Sequence, residues 1–318
     1  MAQALSLNER ARGAAEPLLT EAWALGVGAS TVGGATVVDA GVSAPGSLRA
    51  GLITAEVCLA DLATVSLVPG RVEGTPTPSV VVEVRQPLAA CMASQYAGWR
   101  LTDADGYFAM GSGPMRAACG AEALFDDIGH RERPGLAVGV LEAAAIPGPG
   151  VIAELAQSCG VAPERLLLIA ARTASLVGHV QVVARSVETA MHKLHAIGFD
   201  LRRIVAGWGC APLPPVAGDD LAGIGRTNDA ILYGGEVVLM ARGDDDTLRD
   251  AAQRLPSCSS PSFGETFSSL FARAGYDFYK LDPMLFSPAC VALQNLDTGR
   301  SFRAGATRPD VLAASFFG

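Results

Sequence analysis

The central part of the chain alternates apolar runs with helical segments, and this alternation most constrains the fold. The runs LAVGVLEA (136–143) and RLLLIAA (165–171) have the length and composition of buried strands. Between them, Pro149 opens a helix that ends at Gly160, since proline suits a first helical turn and glycine the position after the last. Another helical segment follows the second run. The order β-α-β-α predicts an α/β, or α+β, fold with mixed sheets.

The flanking sequence extends this pattern. Ser6 and Glu9 have capping-box spacing for a first helix that runs to about Leu25. Strands are predicted at 35–42 and 79–85, and helices at 48–63 and 87–97. In the last third we predict helices at 245–254 and 263–273 and hairpins at 231–242 and 290–305, the second turning at Asp297-Thr298-Gly299.

A proline- and glycine-rich stretch, IPGPG (146–150), follows the first apolar run. As a linker it divides the chain into an N-terminal α/β domain, residues 1–145, and a C-terminal α/β domain, residues 146–318. As a turn it only joins a strand to a helix. The sequence leaves both interpretations open, and domains built from separate chain segments are compatible with it.

Composition and charge limit the classes of function. Half of the 318 residues are hydrophobic, 18% are charged, and the net charge is −8. This composition is typical of a soluble globular chain without the basic surface that a nucleic acid or an acidic membrane requires. The first residues carry Glu9, Arg10 and Arg12 in place of a signal peptide's apolar core, and no run of about 18 apolar residues occurs. We therefore expect a cytoplasmic protein that acts on a small molecule.

The segment from Thr173 to His195 is predicted as one helix with a charged pair in an apolar setting. Arg185 and Glu188 are three residues apart and share one helix face. Apolar side chains flank them, namely those of Val182, Val183, Val187, Ala190, Met191 and Leu194. A carboxylate beside a core can have its proton affinity tuned for chemistry. The alternative is an ordinary ion pair worth about 0.2–0.5 kcal/mol on an exposed helix.

Two further polar clusters are candidate binding sites. Gly111-Ser112-Gly113-Pro114, with Arg116 after it, offers backbone N–H groups and a positive charge to an oxygen-rich ligand, although a plain tight turn is the simpler interpretation. The segment 225–235 places polar residues directly before a predicted strand, where they suit a pocket as well as they suit a turn. These polar residues are Arg226, Thr227, Asn228 and Asp229.

Other catalytic patterns are missing from the sequence. His192 and His195 lie three apart, but the HExxH pattern of zinc proteases and metal-spaced cysteine pairs are absent. No GxSxG elbow of a serine hydrolase occurs. The seven cysteines are odd in number and scattered, which predicts reduced thiols. We expect neither a metal centre nor a nucleophilic serine.

Six blocks of the sequence are informative when they are taken together: EVCLADL (56–62), QYAGWRL (95–101), YFAMGSGPMRA (107–117), TASLVGHVQVVARSVETAMHKLH (173–195), GRTNDAILYGG (225–235) and YDFYKLDPMLFSP (276–288). These blocks resemble the methenyltetrahydromethanopterin cyclohydrolases. The resemblance runs in order from about Leu18 to the C-terminus, which makes it more specific than any single motif.

The resemblance implies a fold, an assembly and a reaction. The fold is a two-domain α/β fold with a ligand pocket between the domains, and the assembly is a homotrimer. In the reaction, the cation 5,10-methenyltetrahydromethanopterin takes up water and opens to 5-formyltetrahydromethanopterin. This step belongs to one-carbon metabolism and runs toward formate in formaldehyde-oxidising methylotrophs.

The resemblance also assigns roles to residues. Glu188 matches the catalytic glutamate, which takes a proton from water and returns it to the departing ring nitrogen. Arg185 matches the arginine that keeps a carboxylate ionised against desolvation. The pterin-binding residues are expected among polar positions of the blocks: Tyr96, Ser112, Gly113, Arg116, Thr173, Ser175, Arg226, Thr227, Asn228 and Asp229. The pterin is the substrate, and no nucleotide, flavin or metal cofactor is implied.

One position departs from the family pattern. Archaeal members carry a lysine in the block that here reads Gln95-Tyr96-Ala97-Gly98-Trp99, and Tyr96 supplies no positive charge at neutral pH. This departure predicts a differently substituted carrier tail. Two other functions stay open: a non-catalytic pterin-binding protein, which would need no Arg185 and Glu188, and a cyclohydrolase that acts on a related folate.

Overall fold

The computed structural model describes residues 6–96, 98–104 and 106–318. Its strands are, in chain order, β1 (Gly28–Val32), β2 (Ala35–Gly41), β3 (Ala63–Val68), β4 (Arg71–Val72), β5 (Thr75–Pro76), β6 (Ser79–Val84), β7 (Trp99–Thr102), β8 (Phe108–Ser112), β9 (Ala137–Ala143), β10 (Leu166–Ala171), β11 (Ile204–Pro212), β12 (Glu236–Ala241), β13 (Cys290–Asn295) and β14 (Ser301–Gly305).

The α-helices alternate with these strands. They are α1 (Leu7–Ala14), α2 (Glu16–Thr20), α3 (Ala22–Leu25), α4 (Leu48–Cys58), α5 (Met115–Cys119), α6 (Leu124–Ile128), α7 (Pro149–Cys159), α8 (Leu176–Val183), α9 (Ser186–Ala196), α10 (Asp220–Gly234), α11 (Asp245–Arg254), α12 (Phe267–Arg273) and α13 (Pro309–Phe317). A π-helical stretch covers Leu88–Gln95. The chain has an α/β fold. Within the described ranges, no helix has both the length and the apolar character needed to cross a membrane.

The chain forms two compact units, each built from two chain segments. The first unit combines the chain up to Ala63 with Ala89–Gln181, and the second combines Thr64–Leu88 with Val182–Gly318. Residues 145 and 146, where the sequence suggested a domain boundary, both lie in the first unit. Since β9 and β10 on either side are hydrogen-bonded neighbours in one sheet, the IPGPG stretch is a strand-to-helix turn.

The first unit contains a six-stranded sheet in the order β1-β2-β10-β9-β8-β7. The strands β2, β10 and β9 run parallel, and the outer strands pair antiparallel. Leu167 and Ile169 of β10 join a core with α1 and α4, whereas Leu166 and Leu168 join a core with α5 and α7. Helices therefore cover both faces, which is why β10 is apolar throughout and β9 is apolar except for Glu142 near its end.

The second unit contains another six-stranded sheet, in the order β14-β13-β12-β11-β6-β3. Its strands alternate buried with half-buried or exposed residues, as in β6 and β12. The helices α9 and α11 contact this sheet. The opposite face we call the open sheet face; it comprises Val81, Glu83, Ala206, Trp208, Cys210, Val238, Met240, Ala292 and Gln294.

Several predicted elements are confirmed. Ser6 is the N-cap of α1 and accepts a hydrogen bond from the Glu9 amide at 3.4 Å. The β9-α7-β10 passage is present, and Gly160 ends α7 in the left-handed conformation. The β13–β14 hairpin turns at Gly299, whose φ is +74°. Helix α11 matches its predicted bounds within a residue.

Other predictions are wrong in their limits. The first helix is broken into α1, α2 and α3. Pro17 near the start of α2 cannot donate an N–H to a continuing helix, which accounts for the break after α1. Helix α4 ends at Cys58, and Ala60 and Asp61 adopt positive φ before β3. The predicted helix after Pro87 is π-helical, and Ala97 at its end lies outside the described residues. The helix predicted at 263–273 begins only at Phe267.

The hairpin predicted at 231–242 is also wrong. Residues 231–234 end α10, and only Glu236–Ala241 is a strand, which runs parallel to β13. Ile231, Leu232 and Tyr233 have high strand propensity, but they pack as the buried end of a 15-residue helix. Tertiary burial therefore outweighs local propensity here.

Candidate active site

The segment predicted as one helix over 173–195 is two helices. Helix α8 ends at Val183 and α9 begins at Ser186, and Arg185 occupies the N-cap position of α9 with φ −89° and ψ 7°. The Arg185 amide donates to the Val182 carbonyl at 3.0 Å, three residues back, which tightens the last turn of α8. The prediction that Arg185 and Glu188 share one face of a continuous helix is therefore wrong. Both residues lie in the opening turn of a new helix.

Glu188 is the third residue of α9. Glu188 is 5% exposed and Arg185 is 7% exposed, so both charged residues are largely buried away from water. The first turn of a helix favours negative charge because its backbone N–H groups lack intrahelical partners. The fold thus places a buried carboxylate at the positive end of α9, within one turn of a buried guanidinium.

The far end of α9 is fixed by Lys193, which the sequence analysis left unassigned. Its ammonium group donates to the Pro256 carbonyl at 2.9 Å, the Ser259 hydroxyl at 2.7 Å and the Met284 carbonyl at 2.6 Å. Burial lowers the pKa of Lys193 to about 8. Its position directly before Leu194, one of the apolar residues of this segment, was the sequence signal for this buried anchor.

The polar residues predicted at 226–229 lie on α10 and not before a strand. Consecutive helix positions differ by about 100°, so Thr227 and Asn228 point away from the face that Arg226 and Asp229, three residues apart, share. Thr227 donates to the Gly223 carbonyl, Asn228 to the Ile224 carbonyl and Arg226 to the Pro215 carbonyl, at 2.8, 2.8 and 3.1 Å. The predicted position at a strand entry is wrong, because these four residues lie within α10. Their role in binding stays a prediction.

Asp229 has a different setting from its neighbours on α10. It is fully buried, and its Oδ1 accepts a hydrogen bond from the Phe267 amide at 2.8 Å. That amide is the first of α12, so the carboxylate satisfies a helix N-terminus from another helix. Burial raises the pKa of Asp229 to about 7. This geometry gives Asp229 an anchoring contact to α12.

Thr173 and Ser175 lie just after the carboxyl end of β10, in the first unit. The Thr173 hydroxyl donates to the carboxylate of Glu142, near the end of β9. The Ser175 hydroxyl donates to the Arg172 carbonyl at 2.7 Å and accepts from the Gly178 amide at 2.9 Å. The carboxyl ends of parallel strands are where open α/β sheets bind ligands, so the position suits both predicted binding residues.

Asp39 completes this edge of the sheet at the end of β2. Its carboxylate accepts hydrogen bonds from the amides of residues 41–44, at 2.8 to 3.2 Å. An ionised carboxylate that collects several backbone N–H groups holds a loop in one conformation. The sequence analysis missed Asp39 and Glu142, although both stand in apolar strands where a charge is unusual.

Ser112 and Gly113 form the turn between β8 and α5. Gly113 has a φ of +88°, which favours glycine, and its amide donates to the Ser94 carbonyl at 2.9 Å. Ser112 is buried, and its hydroxyl contacts the Cys58 thiol and the Val140 carbonyl, both at 3.3 Å. The tight-turn interpretation accounts for these contacts, since the turn's polar groups bond within the first unit.

Arg116 is fully buried beside Tyr96. Two of its nitrogens bind the Glu122 carboxylate at 3.0 and 2.7 Å, and Nη1 donates to the Met92 carbonyl at 3.1 Å. The guanidinium carbon lies 4.7 Å from the Tyr96 ring centroid and 5.4 Å from that of Phe125. Arg116 thus supports the Tyr96 ring through a cation–π contact, and a positive charge lies against the residue that lacks one.

No metal centre is found among residues 6–96, 98–104 and 106–318. Within those ranges no three His, Cys, Asp or Glu side chains are grouped as ligands. Burial lowers the pKa of His192, and the neighbouring His195 lowers it further. These histidines have the i, i+3 spacing noted in the sequence.

Comparison with known proteins places these features in a family. The family model described as Cyclohydrolase (MCH) matches residues 6–316. The chain belongs to this cyclohydrolase family. A member from Rhodopirellula baltica, named methenyltetrahydromethanopterin cyclohydrolase, is 48% identical over 292 residues, which cover 90% of this chain and 87% of the relative. Its namesake from Methylobacterium sp. (strain 4-46) is 45% identical over 316 residues, 98% of this chain and 97% of the relative.

A cyclohydrolase of the same name from Methanococcoides burtonii is 40% identical over 285 residues, which cover 89% of each chain. The family resemblance drawn from the six sequence blocks is thereby confirmed. Within the cyclohydrolase fold, Arg185 and Glu188 lie together in the second unit, whereas Thr173 and Ser175 lie together in the first. The roles of these residues stay predictions.

Proposed function

We propose that this chain hydrolyses 5,10-methenyltetrahydromethanopterin to 5-formyltetrahydromethanopterin. Membership of the cyclohydrolase family over residues 6–316 supports this activity. The observation that carries the mechanism is the buried Glu188 in the first turn of α9, next to the N-cap Arg185. A protein that only bound the pterin would have no use for a withdrawn carboxylate in that position.

The substrate carbon lies between two nitrogens in an amidinium-like cation and is already electrophilic, so water is the reactant that needs activation. In the proposed mechanism the Glu188 carboxylate accepts a proton as the water oxygen bonds to that carbon. Glu188 then returns the proton to N10 as the C–N10 bond breaks. The remaining hydroxyl proton leaves to solvent, and the carbon stays on N5 as a formyl group.

Arg185 is proposed to hold the carboxylate in its ionised, proton-accepting form. Burial alone favours a neutral carboxyl group, whereas a guanidinium and the N-terminal turn of α9 favour the anion. Arg185→Lys keeps the charge but loses the planar fork. We expect this variant to be slower than the wild type and faster than Arg185→Ala.

We propose that the polar residues at the edge of the first-unit sheet bind the pterin. Thr173 and Ser175 have the best placement, at the carboxyl end of β10. Tyr96 is proposed to stack or hydrogen-bond with the ligand, supported by Arg116 behind its ring. Comparing the affinity for phosphorylated and dephosphorylated carriers tests its link to the carrier tail; equal binding contradicts that link.

The test of the activity is an absorbance assay of the methenyl cation with purified protein. We expect the band of methenyltetrahydromethanopterin to disappear and that of methenyltetrahydrofolate to persist. Loss of the folate band alone favours the folate enzyme, and loss of neither favours a binding protein. Glu188→Gln is nearly isosteric and cannot act as a base, so its rate should fall by about 10²–10⁴-fold. A folded Glu188→Gln protein with wild-type rate rejects the mechanism.

The reaction is proposed to need neither a metal nor an organic cofactor, because the cation needs no further polarisation. Dialysis against a chelator should leave the rate unchanged, and restoration of a lost rate by one metal ion contradicts this. A cytoplasmic location is proposed as well. The odd number and wide scatter of the seven cysteines favour it, since cytoplasmic thiols are kept reduced.

We also propose a homotrimer, as the family resemblance implies. The open sheet face supports it, since Val81, Trp208, Val238 and Met240 are apolar and only partly buried within the chain. Apolar surface of this kind is typical of interfaces. Light scattering should give three times the 32.6 kDa mass of the chain, and Trp208→Glu should lower it. A wild-type mass of one chain rejects the trimer.

A further inference from the structure

Two glycines of β11 lie directly beneath the first turn of α9. Gly207 and Gly209 are buried, and a side chain at either position would lie on the face of the second-unit sheet that α9 covers. Gly207 pairs with Val84 of β6 and Leu239 of β12; Gly209 pairs with Val82 and Val237. On this face the neighbouring strands thus carry branched side chains where β11 carries none, which leaves a groove along β11.

Val187 fills this groove. A Cβ on Gly207 would lie 2.7 Å from Cγ1 of Val187, and a Cβ on Gly209 would lie 2.9 Å from Cγ2. Carbon atoms in van der Waals contact are about 3.5–4.0 Å apart, so both substituents would overlap the valine methyls. Val187 therefore lies across two glycines of one strand, with one methyl over each.

Space, and not backbone conformation, explains these glycines. Neither Gly207 nor Gly209 has a positive φ, so other residues can adopt the same backbone. Glycine inside a strand weakens it, and often marks a close approach of another segment. Here the approaching segment is residues 186–187, the two residues before Glu188.

Valine has little freedom to turn away from an added methyl group. In a helix, valine has about 90% of its population in one χ1 rotamer, so relief by a shift of the backbone, including that of α9, is favoured over rotation of the side chain. Ser186 also lies close, with its Oγ 2.4 Å from a Cβ on Gly209, but a serine hydroxyl rotates more freely. The contact between Gly207 and Val187 is therefore the more sensitive one.

We propose that Gly207 and Gly209 are positioning residues for catalysis: they seat Val187 and thereby set the depth of Glu188 above the sheet. The inference rests on the proposed role of Glu188. Proton transfer requires heavy atoms at hydrogen-bond distance, and a displacement of about 1 Å costs on the order of 10²-fold in rate. The two glycines belong to this reaction although neither touches the substrate.

The experiment is a double-mutant cycle on the purified full-length protein. Gly207→Ala should lower kcat by about 10–100-fold with KM changed less than about threefold, and should shift the pH dependence of kcat. Adding Val187→Ala removes the overlapping methyl and should restore most of kcat and the wild-type pH profile. Val187→Ala alone should give a smaller loss, since it only loosens the seat.

Gly234→Ala is the matched control, because its added Cβ would lie 2.7 Å from Cδ of Pro212 and 2.9 Å from Cδ1 of Leu312, away from α9. It should lower the melting temperature as Gly207→Ala does while kcat and the pH profile stay unchanged. The inference is overturned if folded Gly207→Ala has wild-type kcat and pH profile, or if Val187→Ala does not relieve its defect. If Gly207→Ala does not fold, wild-type kcat and pH profile in Val187→Ala overturn it.

Glu188→Gln separates this inference from the mechanism beneath it. An active Glu188→Gln protein rejects the role of Glu188 whatever the glycine variants do. An inactive Glu188→Gln protein together with a fully active Gly207→Ala protein rejects the glycine inference alone.

Discussion

The two six-stranded sheets differ in how many of their faces are covered. Helices cover both faces of the first-unit sheet, and its central strand β10 is buried at every residue. The second-unit sheet has α9 and α11 on one face, and β12 alternates between buried and half-buried residues. The chain therefore contains two kinds of sheet. The first-unit sheet is two-sided, with a stable core on both faces, and the second-unit sheet is one-sided and carries the proposed catalytic helix.

The largest effect is expected in the first-unit sheet, which has a core on both faces. Ile169→Ala removes a fully buried side chain from the centre of β10. The cavity and the lost burial should lower the free energy of unfolding by about 3–4 kcal/mol. Chemical denaturation measures it, and a loss below about 1 kcal/mol contradicts the two-sided core.

Next in size is the anchor that joins α9 to the loops beside the one-sided sheet. Lys193→Met keeps the aliphatic length but leaves three acceptors without their donor. We expect a loss of about 3 kcal/mol in the free energy of unfolding. Lys280→Met serves as the control, because Lys280 is exposed and should change stability by less than about 0.5 kcal/mol.

A third prediction concerns Asp229, the buried carboxyl group of α10. Because its folded-state pKa is raised from 3.8 to about 7, the folded protein holds this proton more tightly than the unfolded chain. Its contribution to stability is present below pH 4 and is lost as the pH rises through about 7. Asp229→Asn should remove this pH dependence, measured by denaturation at pH 4 and pH 8. An unchanged slope contradicts the raised pKa.

The smallest effect is expected on the open sheet face. Val238→Ala truncates a half-buried side chain and should cost about 0.5–1 kcal/mol in dissociated chains. Denaturation at a concentration where light scattering shows single chains provides the measurement. A loss equal to that of Ile169→Ala would erase the difference between the two sheets.

The same comparison explains which elements the sequence could predict. The strands β9 and β10 were predicted because two-sided burial produces continuous apolar runs. Strand β11, Ile204–Pro212, was not predicted, since its glycines break the usual pattern of strand residues. Only the tertiary structure explains these glycines, because it shows that α9 packs against them.

The candidate site shows the same limit. Arg185 and Glu188 were identified from the sequence, but they were predicted to lie within one helix. In the structure Arg185 is the N-cap of α9 and Glu188 is its third residue. Arg226 to Asp229 were grouped because they are neighbours in sequence before a predicted strand, but they lie within α10, which turns Thr227 and Asn228 away from the other two. Lys193 and Glu142 were missed because their partners lie far away along the chain. Asp39 was missed although its partners, the amides of residues 41–44, are close in sequence.

The sequence by itself determined the family, the α/β class and the identity of the charged pair, because these depend on local pattern and on blocks read in order. Only the tertiary structure decided that the chain forms two units from interleaved segments, that the long helix breaks at Ala184 and Arg185, and that Val187 lies on two glycines. These features come from contacts between residues distant in sequence. Hydrogen bonding and burial between distant segments select such contacts, and a local sequence pattern does not contain them.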